Sequence, residues 1–205
     1  MPKRVDFLLI EFIRCVSPEN FRFLLGTPLN LEKLSLRMKA HEIYQRISPA
    51  LNESLLSALF ASDKPAYKAT LTALGNQRKL RPIYLERKPR AERHTWMQQA
   101  MGQKVSDEIA LNLLQFWLLT SQQPMLTDFL DGLGISHDGK GAVEEMPESP
   151  DREKLSSAID TLLAKYPHEN VAVYLQTFQS MNDPIWAPLD DILATDERLR
   201  LPQSS

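Results

Sequence analysis

Cysteine is almost missing from this chain: among 205 residues only Cys15 is one. A single thiol excludes an intramolecular disulfide, so the core alone must hold the fold, and a reducing compartment is expected. Cys15 sits in an apolar helical stretch with no histidine near it in sequence, where a thiol fills core rather than acting as a nucleophile.

Long apolar runs are missing too. No segment reaches the roughly 18 uncharged apolar residues that would span a bilayer. Behind Met1-Pro2-Lys3-Arg4 the run Phe7-Leu8-Leu9-Ile10 is broken up by Asp6, Glu11 and Arg14, so the start does not read as a secretion signal. A soluble cytoplasmic protein with no membrane partner is expected. Period-two alternation is also scarce, and only Ile83-Tyr84-Leu85 and Gly141-Ala142-Val143 offer themselves as small extended pieces.

Catalytic constellations are thin. The four histidines are His41, His94, His137 and His168. In His41-Glu42-Ile43-Tyr44-Gln45 the second half of a zinc-protease helix fails, because Gln45 stands where a histidine is required. His94, the pair His137-Asp138 and a later aspartate (Asp190, Asp191 or Asp196) resemble the residue pattern of metal-dependent phosphohydrolases with a histidine-aspartate doublet. In that family the doublet lies on a helix, whereas here Gly134, Gly139 and Gly141 put it in a loop, which favours a turn at Asp138-Gly139. Gly139-Lys140-Gly141 lacks the flanking strand and helix of a phosphate loop, and no Gly-x-Ser-x-Gly elbow occurs. The adjacent acids Glu144/Glu145 and Asp190/Asp191 read as solvated surface. No catalytic residue, metal ligand or cofactor is assigned.

What the chain does have is helix punctuation. Ser17-Pro18, Ser48-Pro49, Ser149-Pro150 and Asp183-Pro184 pair a capping residue with a proline suited to the first helical position. Apolar stripes at helical spacing follow, such as Leu51, Leu55, Leu56, Leu59 and Leu155, Ile159, Leu162, Leu163, Tyr166. Gly26, Gly75, Gly102 and Gly134 mark ends where the chain turns into the left-handed region. The spacing predicts helices near 4–15, 18–25, 31–47, 49–61, 65–74, 90–101, 107–120, 125–133, 151–165, 169–180 and 185–194. The aromatic residues Phe116, Trp117, Tyr174 and Phe178 fall on their apolar faces and are assigned to core, with Trp186 the least settled.

A weak repeat runs through these hairpins. Ser62-Asp63-Lys64-Pro65 leads to Leu74-Gly75 as Ser121-Gln122-Gln123-Pro124 leads to Leu133-Gly134, an offset of 59 residues. The expected class is therefore all-α: about ten helices in antiparallel helical hairpins, forming a bundle or a short helical-repeat-like array.

Charge divides the chain. Residues 1–127 hold 18 Lys/Arg against 11 Asp/Glu, and 128–205 hold 6 against 15. With the Gly/Pro-bearing, acidic stretch 135–150 as boundary, the expected organisation is a basic helical lobe (1–134), a connection (135–150) and an acidic lobe (151–205), packed as one unit. Within the first lobe, Arg78, Lys79, Arg81, Arg87, Lys88, Arg90 and Arg93 place seven cations in sixteen residues. With Tyr84 and Trp96 beside them they are a candidate polyanion-binding segment.

The leading expectation is a non-enzymatic interaction or scaffold protein, with a protein partner or self-association between oppositely charged halves. The alternatives are nucleic-acid or polyanion binding through 78–93, and a metal-dependent helical hydrolase using His94, His137 and Asp138.

Overall fold

The computed structural model describes residues 37–141, 143, 149–181 and 186–202. The helices expected near 4–15 and 18–25, with Cys15, Gly26 and the Ser17-Pro18 and Asp183-Pro184 signals, lie outside them. Among the described residues the chain is all-α, with ten helices and no strand. They are α1 (Ala40–Arg46), α2 (Pro49–Ser62), α3 (Lys64–Gln77), α4 (Pro82–Glu86), α5 (Arg90–Met101), α6 (Asp107–Ser121), α7 (Gln123–Leu133), α8 (Arg152–Lys165), α9 (His168–Met181) and α10 (Ala187–Thr195). Two 3₁₀ turns, Lys104–Ser106 and Glu197–Leu199, accompany them among the described residues. No helix among the described residues is long and apolar enough to cross a membrane.

Local chemistry explains most boundaries. Ser48 caps α2 by accepting the Leu51 N–H, with Pro49 in the first position, and Asp63 caps α3 by accepting from Ala66 ahead of Pro65. At α8 the cap is Asp151, which accepts the Lys154 N–H, so the helix begins two residues beyond the Ser149-Pro150 signal. α1 begins later than the expected 31–47: Lys39 is extended, and its N–H donates to the Glu42 carboxylate at 2.8 Å.

The two aligned turns adopt the same backbone bonding. Asp63 and Gln122 each form a one-residue link whose N–H donates back to Leu59 and Leu118, and whose carbonyl accepts from Tyr67 and Leu126. Beyond the turns the copies diverge. α7 ends on Gly134 at φ +66, with Ile135 N–H reaching the Leu130 carbonyl. α3 continues past Gly75, and the same long bond runs from Leu80 N–H to the Gly75 carbonyl, so the left-handed residue is Lys79 at φ +55. Gly75 instead permits close packing: a Cβ there would lie 3.2 Å from Leu85 Cδ1 and 3.3 Å from the Leu80 carbonyl. Gly102 is not left-handed either (φ −66); a Cβ there would crowd the Gln45 side chain.

The helices enclose one apolar core within a unit spanning Leu36–Ser205. α2 and α3 form a hairpin against which α5 lies; α1 packs on α5 and α6; α7 pairs with α8 and touches α6. α9 reaches back to α1 and α6, and seven consecutive residues from Val171 to Thr177 are buried. A helix buried on all sides in this way is a central core element. Its first turn is also tied to the start of α2: the Glu169 carboxylate accepts from Ser48 N–H at 2.5 Å and from Ser48 Oγ at 2.8 Å. Trp117 and Trp186 are fully buried, which settles Trp186 as core; it packs edge-on against Phe178 at 4.9 Å.

Candidate interaction face

The residues Ile83-Tyr84-Leu85, with their high strand propensity, form the body of the short helix α4 rather than an extended piece. Pro82 occupies its first turn, and Arg81 precedes it in extended conformation. Leu85 is fully buried against Gly75, which seats α4 on the C-terminal turn of α3. That leaves Ile83 and Tyr84 pointing outward, 57% and 59% exposed. The third exposed large apolar side chain among the described residues, Val105, belongs to the Lys104–Ser106 turn. That turn is held by Gln77, whose Nε2 donates to the Val105 carbonyl at 3.1 Å and whose Oε1 accepts from Ser106 Oγ at 2.7 Å. Both apolar spots are thus anchored at the C-terminal end of α3.

The seven cations divide into two groups. Arg93 donates to Tyr67 Oη at 2.8 Å and to the Glu86 carbonyl at 3.0 Å, capping the last turn of α4. Arg90 reaches Ser57 Oγ at 2.9 Å and Glu53 at 3.4 Å, and lies over the Phe60 ring. Arg78 donates to the Gln99 carbonyl beside Trp96, and Lys88 pairs with Glu92 one helical turn away. These four are engaged internally. Lys79, Arg81 and Arg87 are exposed, and among the described residues their side chains make no hydrogen bond or ion pair.

Beside Arg90 and Arg93, between α2 and α5, lies a buried polar cluster that sequence spacing did not reveal. His94 is 1% exposed, with Nδ1 2.6 Å from Glu53 Oε2, and the Asn52 amide donates to the His94 carbonyl at 3.2 Å. Burial lowers the imidazole pKa first; the Arg90 and Arg93 charges add to this, and Glu53 only partly offsets it. Burial pushes the Glu53 carboxyl up, but hydrogen bonds from His94, Ser57 and Arg90 outweigh it and hold the group below its usual range. The stable state is therefore a neutral imidazole donating Nδ1–H to an ionised Glu53, with the buried Nε2 left without a partner. The only sequence signal for this cluster was His94 itself, because Glu53 lies 41 residues away on another helix.

Two of the other three histidines form separate pairs. His41 contacts Asp107 at 2.7 Å, and His137 contacts Asp131 at 3.1 Å. Asp138 accepts from the Lys140 N–H at 2.7 Å, the turn expected at Asp138-Gly139. Asp190 is half-buried, holding Arg37 at 3.2 Å and the Gln179 amide at 2.5 Å, rather than being simple solvated surface. His94, His137 and Asp190 thus each have a different partner. Among the described residues no group of three His, Cys, Asp or Glu side chains is arranged to hold a metal ion. A shallow depression lies elsewhere, on α8, lined by Glu153, Ser156, Ser157, Asp160, Thr161 and Ala164.

No family model matches this chain, and neither a curated protein nor a solved structure is similar to it.

Proposed function

We propose that the chain is a non-enzymatic interaction protein that docks a partner through the exposed face of α4. One observation carries this reading: Ile83 and Tyr84, two of the large apolar side chains exposed among the described residues, stand on one short helix flanked in sequence by Lys79, Arg81 and Arg87, three exposed cations with no internal partner. Exposed Ile and Tyr next to unpaired arginines combine the apolar anchor and charged rim from which protein interfaces are built. Four neighbouring cations spend their donors on carbonyls, carboxylates and Tyr67, and so hold this face in shape. The test is capture from cell extract by the full chain, by the variant Arg81→Gln/Ile83→Ser/Tyr84→Ser/Arg87→Gln, and by a control substituted at Thr161 on α8. Proteins retained by chain and control but lost by the variant support docking here; equal capture by all three overturns it.

A second reading, nucleic-acid binding through 78–93, is favoured by the exposed Tyr84 ring beside the Lys88 ammonium, 5.7 Å from its centroid. It predicts binding to a single-stranded oligonucleotide that falls steeply with salt and is lost when Lys79, Arg81 and Arg87 are neutralised. Absence of binding at low salt removes it.

A further inference from the structure

Resting on the docking reading above, we infer that the partner on the α4 face is an acidic polypeptide segment carrying apolar side chains between its carboxylates. Charge complementarity is the first ground. The segment 78–93 holds seven cations against Glu86 and Glu92, and Glu92 is already paired with Lys88. Of the three unengaged cations two are arginines, whose planar donor forks match a carboxylate bidentately.

Ile83 is the second ground. An aliphatic side chain gains nothing from a phosphodiester backbone, whereas an apolar side chain of a polypeptide covers it and removes both from water. A nucleic-acid partner would leave Ile83 unused. Glu86 separates the remaining candidates. It is an exposed carboxylate in the same five-residue helix as Ile83 and Tyr84. Burying that helix tip in an anionic lipid surface would bring Glu86 against like charge, while a polypeptide can answer it with a backbone N–H.

The third ground is backbone geometry. Among the described residues Lys79 is the one non-glycine residue with positive φ, and its side chain is exposed. An L-residue in this region costs about 1–2 kcal/mol, which glycine would avoid. The left-handed turn carries a cation where α7 ends on Gly134, and it projects that cation at the edge of the face. That turn is the C-terminal cap of α3, closed by Leu80 N–H on the Gly75 carbonyl, so the helix's own ending fixes where this exposed cation stands. In the bound state the partner's carboxylates lie against Arg81, Arg87 and Lys79, and its apolar side chain covers Ile83 and Tyr84.

A displayed library of short random peptides, selected on the full chain and counter-selected on the Arg81→Gln/Ile83→Ser/Tyr84→Ser/Arg87→Gln variant, tests this. The expected enrichment is in peptides combining Asp or Glu with Leu, Ile or Phe. Their affinity should fall about ten-fold in Arg81→Gln/Arg87→Gln, the scale of two exposed ion pairs, and again in Ile83→Ser/Tyr84→Ser, with unchanged thermal unfolding of each variant. Face-dependent enrichment of neutral or basic peptides overturns the acidic partner while leaving the docking face in place. So does tighter face-dependent binding of a single-stranded oligonucleotide or of phosphatidylserine vesicles. If no peptide, oligonucleotide or vesicle binds in a way the variant abolishes, the inference and the docking reading fail together.

Discussion

The Nδ1 atom of His94 lies 2.6 Å from the Glu53 carboxylate, while Nε2 of the same ring is buried with no acceptor in reach. Protonating this ring would create a second N–H that nothing accepts, beside the Arg90 and Arg93 guanidinium groups. The folded-state pKa of His94 is accordingly depressed, and that of Glu53 is depressed as well.

A pH dependence with a definite sign follows. The unfolded chain binds a proton at His94 near the ordinary value of 6.5 while the folded chain resists it, so stability present above that value is lost as pH falls below it. Glu53 contributes in a lower window: its share is present above its usual 4.5 and is lost as pH drops through the depressed folded value. Urea midpoints measured against pH should decline below about 6.5 in the wild-type chain. His94→Phe, which replaces the ring without the proton, should be flatter over the same range. Parallel curves would show that His94 is not responsible.

Leu85 and Ile83 stand two residues apart in α4 with opposite burial. Leu85→Ala should cost about 2–5 kcal/mol and speed amide exchange in α4, whereas Ile83→Ser should stay within about 0.5 kcal/mol of wild type. Similar losses for both would mean that α4 is not seated by Leu85 on Gly75.

The Glu169 carboxylate closes the start of α2 from a distant helix. Glu169→Ala leaves the Ser48 N–H and hydroxyl without their acceptor, and should lower stability by about 1–3 kcal/mol. Ser48→Ala should cost less, about 0.5–2 kcal/mol, because it removes a cap while Glu169 keeps the backbone N–H. Chemical denaturation of the two single variants and the double variant measures the coupling; additive losses would contradict the clamp.

Lys79→Gly should move the two properties of the face in opposite directions. Relief of the left-handed strain, partly offset by the entropy of glycine in the unfolded chain, predicts a gain of about 0.5–1 kcal/mol. Loss of the cation predicts weaker partner binding. A loss of stability would show that the Lys79 side chain is engaged in the fold.

Helices such as α2 and α3 could be read from sequence because their signals are local: a capping side chain, a proline in the first turn and apolar residues at helical spacing. α4 could not, since a five-residue helix gives no period and its middle, Ile83-Tyr84, favours strand; Arg81-Pro82 was the usable sign. Gly75 resembled a terminus because the close approach of Leu85 depends on tertiary packing. The basic cluster was visible, but not its division, which rests on Glu53, Ser57 and Tyr67, 26 to 37 residues away from their arginines. The helical class and the hairpin turns are features of the described fold, while the role of 78–93 is a proposal.

The most direct test of that proposal is a single-site scan of the seven cations, each changed to alanine, with partner affinity and thermal unfolding measured side by side. Lys79, Arg81 and Arg87 should lose affinity and keep their unfolding temperature, whereas Arg93, which caps α4 through the Glu86 carbonyl, should lose stability first. Equal loss of affinity at all seven sites, with stability unchanged, would contradict the division and the face built on it.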